Sequence, residues 1–357
     1  MEIELNMKKH NFYAGPAILP ESVKKQAAEA AYDYQGSGLS LMEVSHRGKA
    51  FVEILDRAEK HVRTLINLSD DYAVLFLTGG ASTQFFMTAF NLYDPEDTVG
   101  YVDTGTWSAK AIKEANFFTD VNVLASSKDK NYTYIPKGYK VPKDLKYVHL
   151  TSNNTVYGTQ TKEWVKTSAP LICDMSSDIF SRPLPMKRFG LIYAGAQKNV
   201  GLAGVTLVIV KKDLLGKTPW HIPTMLDYRT HIAKNSSYNT PPVFPIYVTM
   251  LNLEWIIDNG GVKAMEKRNA AKAKLLYDEI DDNPKFEGTV EKEDRSPMNA
   301  TFLLKDNKQD TSFLEKCAAA GIVGIKGHRS VGGFRASMYN AMDISSTQIL
   351  VDVMKSM

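Results

Sequence analysis

Leu191-Ile-Tyr-Ala-Gly-Ala-Gln-Lys198-Asn-Val200 is an apolar, strand-like run that ends on a lysine. A lysine is seldom put at the end of a buried strand for structure alone, because its ammonium needs water or a partner. Asp174 stands 24 residues earlier and closes another apolar run, Pro170-Leu-Ile-Cys-Asp174. One strand end offers an amine and the other a carboxylate. A protein that holds pyridoxal phosphate uses such a pair: the lysine as a Schiff base on the aldehyde, the aspartate beside the protonated pyridine nitrogen. Taken singly, each residue reads more simply as a surface lysine or a turn aspartate.

The strand-like runs on either side set the fold. Tyr72–Thr78, Thr98–Asp103, Val121–Leu124, Tyr147–Thr151, Pro170–Asp174, Leu191–Gly195 and Val205–Val210 alternate with helix-like segments, and several are nearly all apolar. Such runs fit strands covered by helices on both faces. They predict an α/β three-layer domain around a mostly parallel, seven-stranded sheet. Ligands of open sheets bind beyond the carboxyl ends of the strands, where Asp174 and Lys198 both fall. After about residue 250 the pattern changes. Helical stretches at Leu251–Asp258 and Val262–Asp281 lead into a strand at Met298–Leu304, a helix at Thr311–Ala320, a strand at Gly333–Asn340 and a final helix at Ser345–Met357. This reads as a small α+β domain. The expected division is a large domain over 15–255, with 1–14 and 256–357 forming the small one. Residues 214–245, rich in Pro, Asn, Ser and Thr, read as a long ordered loop.

The run Tyr72–Thr78 leads into Gly79-Gly80-Ala81-Ser82-Thr83-Gln84 and then an apolar helix-like stretch. Two glycines permit a tight turn, and the free N–H groups of the helix start favour an anion. The string lacks the Gly-Lys-Ser/Thr of a P-loop and the Gly-x-Gly-x-x-Gly of a dinucleotide site. A single phosphate monoester fits better. Composition bounds the rest: 357 residues, 44% hydrophobic, 23% charged and a net charge of +3 describe a globular chain without the excess charge of a nucleic-acid or membrane-surface binder. No apolar run approaches the roughly 18 residues of a membrane span. The two cysteines, Cys173 and Cys317, form no disulfide framework, and a cytoplasmic setting is expected.

Taken together, Asn11–Ala17, Met42-Glu-Val-Ser-His-Arg-Gly48, Leu75–Ser82, Asp174-Met-Ser-Ser-Asp178, Ile192–Asn199 and Gly327-His-Arg-Ser-Val-Gly-Gly-Phe-Arg-Ala-Ser337 closely resemble the phosphoserine aminotransferases, pyridoxal-phosphate enzymes of the class V group with fold-type I architecture. The resemblance runs nearly end to end. It implies transamination between O-phospho-L-serine and 2-oxoglutarate in L-serine biosynthesis, extended in some relatives to the 4-phosphohydroxy-L-threonine pair of pyridoxine biosynthesis. It implies Lys198 as the Schiff-base lysine and Asp174 at the ring nitrogen. Trp107 would lie over the ring, Thr155 at the phenolic oxygen, and Ala81, Ser82 and Gln197 at the phosphate. Asn239 and Thr240 would come from the second subunit of a homodimer. Arg335 would take the substrate α-carboxylate; His46, Arg47, His328 and Arg329 the distal anion, with His46 and Arg47 reaching across the dimer. Arginine suits both anions because its planar fork binds them bidentately. Thr83 departs from a commonly apolar position without touching the chemistry. A cysteine desulfurase on the same fold would need a thiol on a mobile loop, whereas Cys173 falls in a strand and Cys317 in a helix. A cofactor-binding regulator would need an added DNA-binding module, for which the chain has no spare length.

Overall fold

The computed structural model describes residues 8–357. Residues 1–7, part of the N-terminal piece assigned to the small domain, lie outside the described residues. All seven predicted strands form and share one sheet: β1 (Tyr72–Leu77), β2 (Thr98–Asp103), β3 (Asp120–Ser126), β4 (Val148–Thr151), β5 (Leu171–Asp174), β6 (Phe189–Gly195) and β7 (Thr206–Lys211). Their spatial order is β1-β7-β6-β5-β4-β2-β3, and β7 alone runs against the rest.

Alternate side chains of these strands feed two cores, as a pleated sheet covered on both faces requires. Val74, Cys173, Ile192 and Leu207 face one side, packed with the helices Lys49–Ile66 and Val243–Asp258. Leu75, Ile172, Leu191, Tyr193 and Val208 face the other, under Gly80–Leu92 and Thr106–Ala115. The helix Lys49–Ile66 buries Phe51, Ile54, Leu55, Ala58, Val62 and Leu65, the three-to-four spacing of one helical stripe.

The predicted alternation of strand and helix stops at β3. The connections from β3 to β4 and from β5 to β6 contain only single 3₁₀ turns, Lys128–Lys130 and Met186–Arg188. Between β4 and β5 lies a short hairpin, Asn153–Asn154 with Thr159–Gln160. Helices contributed by distant segments already cover that face, so these crossovers are free to be loops. Residues 214–245 also hold more than a loop. Asp227 caps a short helix, Tyr228–Ala233, by accepting from the Arg229 N–H at 2.9 Å. The helix expected from Leu251 begins at Val243, with Pro245 in its first turn, where the missing N–H costs no helical bond.

A separate antiparallel sheet has the order β8 (Phe286–Gly288), β9 (Asn299–Leu304), β10 (Phe334–Ser337). The helices Gly261–Asp282, Asp310–Ala319 and Ile344–Lys355 pack with it around Phe286, Phe302, Phe313 and Phe334. His10–Asn11 pairs in parallel with Ile322–Val323, and Phe12 is buried in that same cluster. Among the described residues no helix is long and apolar enough to cross a membrane.

Candidate active site

The carboxyl ends of β5 and β6 meet in register, with Asp174 opposite Tyr193, so the turn after β6 returns Lys198 toward Asp174. Both residues line a cavity of about 460 Å³. Its wall also contains Ala14, Gly15, Gly79, Gly80, Ala81, Ser82, Trp107, Thr155, Val156, Ser176, Gln197, His328 and Arg335. Nine residues predicted from sequence therefore converge: Ala81, Ser82, Trp107, Thr155, Asp174, Gln197, Lys198, His328 and Arg335.

Lys198 donates from Nζ to Thr155 Oγ1 at 2.7 Å and lies 5.5 Å from the centre of the Trp107 ring. Burial draws its pKa down to about 8; Asp174 pulls the other way, while the Arg335 charge adds to the lowering. A neutral amine thus becomes accessible near neutral pH. Asp174 is buried, and burial raises its carboxyl pKa. The Lys198 charge and two hydrogen bonds from Ser176 oppose that rise. Ser176 donates to Asp174 Oδ1 from its backbone N–H at 2.9 Å and from Oγ at 2.6 Å. The Ser176 hydroxyl also accepts from the Gly195 N–H at 3.1 Å, joining the ends of β5 and β6.

The phosphate-cradle string forms the start of the helix Gly80–Leu92. Gly79 precedes it at φ +96°, and no side chain caps the helix start. A Cβ at Gly79 would fall 2.0 Å from Thr83 Oγ1, so only glycine fits. The free N–H groups and the helix dipole face the cavity, opposite in sign to a phosphate. Gly15 closes another wall: a Cβ there would sit 3.3 Å from Lys198 Cγ.

At the opposite side, Arg335 on β10 donates from Nη1 to Thr155 O at 3.3 Å, and its Nε is buried without a partner. Trp107 Nε1 is likewise buried and unpaired. These orphaned donors, the uncapped helix start, the amine and the buried carboxylate fit a group with a phosphate, an aldehyde and a basic ring nitrogen. Pyridoxal phosphate has all three. His328 sits on the rim, its pKa lowered by burial and by the charges of Arg335, Arg329 and Lys110.

Five predicted residues do not line this cavity. Arg329 is exposed on the loop before β10. His46 and Arg47 sit in the turn before Lys49–Ile66, with Arg47 exposed. Asn239 lines a smaller neighbouring cavity of about 170 Å³ beside Gly79 and Thr83, and Thr240 next to it is exposed. Sequence reasoning also missed members of the site. Ser176 was legible in principle, since a serine two residues beyond a strand-end aspartate suits a local turn bonded to that carboxylate. Gly15 carried no such signal.

Residues 9–350 match the family pattern described as aminotransferase class-V. The chain is 56% identical over 353 residues to the phosphoserine aminotransferase of Flavobacterium psychrophilum, spanning 98% of this chain and 99% of that one. The fold is similar to the solved phosphoserine aminotransferase of Bacillus circulans subsp. alkalophilus, with a TM-score of 0.95, 45% identity and 98% of both chains covered. It is similar also to the PLP-bound enzyme of Trichomonas vaginalis, at a TM-score of 0.93 and 39% identity over 98% of this chain and 100% of that one. With the lysine, the buried carboxylate and the uncapped helix start on one cavity wall, the chain belongs to the class V aminotransferases.

Proposed function

We propose that this chain is a pyridoxal-phosphate enzyme that moves an amino group between O-phospho-L-serine and 2-oxoglutarate, giving 3-phosphohydroxypyruvate and L-glutamate. The observation that carries this reading is one cavity lined by an amine with a pKa near 8, a buried carboxylate and a half-buried guanidinium. The similar proteins are phosphoserine aminotransferases, which supports phosphoserine as one of the substrates.

When bound, pyridoxal phosphate supplies an aldehyde for amine exchange and a protonated ring that spreads the charge left at a substrate α-carbon. Asp174, held by Ser176, would keep the ring nitrogen protonated. The N–H groups of Ala81 and Ser82, with Gln197, would hold the phosphate, Trp107 would pack against the ring, and Thr155 would bond the phenolic oxygen. Lys198 would anchor the aldehyde. With its Nζ free and neutral, Lys198 would serve as the base that takes the proton from the substrate α-carbon and as the acid that returns it. Arg335 clamps the α-carboxylate and so fixes which bond at the α-carbon faces Lys198 Nζ.

The distal anion is assigned to His328, Arg329 and, from the second subunit of a homodimer, His46 and Arg47. Asn239 and Thr240 would reach the phosphate held by the neighbouring subunit. Their exposed positions in one chain support a shared site. One basic pocket would then serve the phosphate of phosphoserine and the γ-carboxylate of glutamate. A cytoplasmic location is part of this reading, supported by two buried, unpaired cysteines. So is the division near residues 15 and 255, supported by separate sheets and cores.

Spectral titration of the cofactor-loaded protein with O-phosphoserine, glutamate, serine and alanine tests the assignment. The first two are expected to bleach the visible cofactor band, with serine and alanine inert. Equal bleaching by alanine would refute the distal-anion site.

A further inference from the structure

β10 carries Arg335, and beyond its end the chain continues through Met338 and Tyr339 to Asn340. Asn340 is 2% exposed, and its polar groups are taken up on two sides. Its backbone N–H donates to Asn199 Oδ1 at 3.0 Å, and its Nδ2 donates to Phe180 O at 3.0 Å. Its Oδ1 accepts from Asn269 Nδ2 at 2.7 Å. Asn199 directly follows Lys198 and is itself held: its Nδ2 donates to Ile179 O at 2.6 Å, and its carbonyl accepts from Asn252 Nδ2 at 3.2 Å. Phe180, Asn199 and Asn252 stand with the seven-stranded sheet, whereas Asn269 lies on the helix Gly261–Asp282 that packs with β8–β10. On that helix Lys272, fully buried, donates to the carbonyls of Met338 at 2.9 Å and Tyr339 at 2.6 Å.

Arg335 and Lys198 are thus tied together twice. At their tips both donate to Thr155, one to its carbonyl and the other to its hydroxyl. At their backbones the tie is Asn340 to Asn199, five residues beyond the arginine and one beyond the lysine. Proton removal requires the α-carbon to sit within reach of Lys198 Nζ while the carboxylate sits on Arg335, so the separation of the two groups sets the reaction geometry.

We propose that Asn340 is a positioning residue that sets the distance between the Arg335 guanidinium and the Lys198 amine by joining Asn199 and Phe180 on one side to Asn269 on the other. The inference rests on the roles given above to Arg335 and Lys198. A buried asparagine bonded through its backbone N–H, Nδ2 and Oδ1 suits the task because losing any of these bonds in such a site is costly, which favours one arrangement.

Asn340→Asp tests it, since the change keeps the shape and the acceptor for Asn269 but removes the donor to Phe180. In the cofactor-loaded protein, kcat/KM is expected to fall about tenfold or more for both O-phosphoserine and glutamate, as small displacements of reacting groups do. The visible cofactor band and the cofactor Kd should stay within about twofold, because no cofactor contact is lost. In an Arg335→Ala background the same change should be nearly silent, since the anchor it positions is gone. An equal further loss there, or a normal kcat/KM in Asn340→Asp beside an impaired Arg335→Ala, overturns the proposal and leaves the site assignment standing. Normal kinetics in Arg335→Ala alone overturns both. Asn269→Ala, one bond further from the site, keeps the test open if Asn340→Asp does not fold. It should show the same pattern to a smaller degree, and a shifted cofactor band with unchanged kcat/KM would refute it.

Discussion

Ser176→Ala removes one oxygen, and two bonds go with it. The hydroxyl donates to Asp174 Oδ1 at 2.6 Å and accepts from the Gly195 N–H at 3.1 Å, all in buried surroundings. A hydrogen bond to a charged acceptor contributes about 1.5–3 kcal/mol, and an orphaned buried N–H costs about 1–3 kcal/mol. The loss should therefore be about 2.5–6 kcal/mol where Asp174 is ionised, and about 1–3 kcal/mol where it is protonated, because only the Gly195 contribution then remains in full. The sign with pH follows from Asp174, whose folded pKa is raised by burial and lowered by Ser176. A carboxyl with a raised folded pKa adds stability at low pH, and that contribution is lost as pH rises through the folded value. Deleting the hydroxyl raises the folded pKa further, so the gap between wild type and variant widens as pH climbs. Urea unfolding of the cofactor-free protein from pH 5 to pH 8 measures it, the shift in midpoint being multiplied by the slope. Ser176→Thr, which keeps the oxygen, should restore most of the loss. A deficit of the same size at every pH would refute the claim that this hydroxyl acts on the ionised carboxylate.

Lys198 in the cofactor-free protein should react with acetic anhydride at half its maximal rate near pH 8, since burial has lowered its pKa to about 8; competitive labelling that placed this near the ordinary lysine range would contradict the site electrostatics. Gly79→Ala should weaken cofactor binding by about 1–3 kcal/mol, read by fluorescence titration, because the added Cβ meets Thr83 and the φ of +96° disfavours a side chain. An unchanged Kd would dissociate that turn from the phosphate. Co-refolding Lys198→Ala with Arg47→Ala should recover about a quarter of wild-type activity, as half the chains pair into hybrids with one intact site each. No recovery would place Arg47 in its own subunit's site.

Much of this was legible in the chain because the decisive groups lie where strand patterning can be read. Apolar runs of four to seven residues report burial on both faces. Asp174 and Lys198 interrupt such runs at their carboxyl ends, so charge against a buried background marked them. Gly79-Gly80 announced a turn before a helix. The connections from β3 to β4 and β5 to β6 were misread, because whether a helix covers a sheet face depends on which distant segments already lie there. The helix Lys49–Ile66 and the helix Val243–Asp258 settle that from far along the chain. Pro245 suggested a loop, yet it occupies a first turn.

Sequence alone determined the class of fold and of cofactor, and it singled out Lys198 and Asp174 as the candidate amine and carboxylate, since residue type and local period carry those. Only the tertiary structure decided that Thr155 bonds both Lys198 and Arg335, that Ser176 locks Asp174 to the next strand, and that Asn340 joins the two sheets' territories. Those contacts link residues 19 to 180 positions apart. Their existence depends on sheet order and on how two cores meet, and neither leaves a periodic trace along the chain.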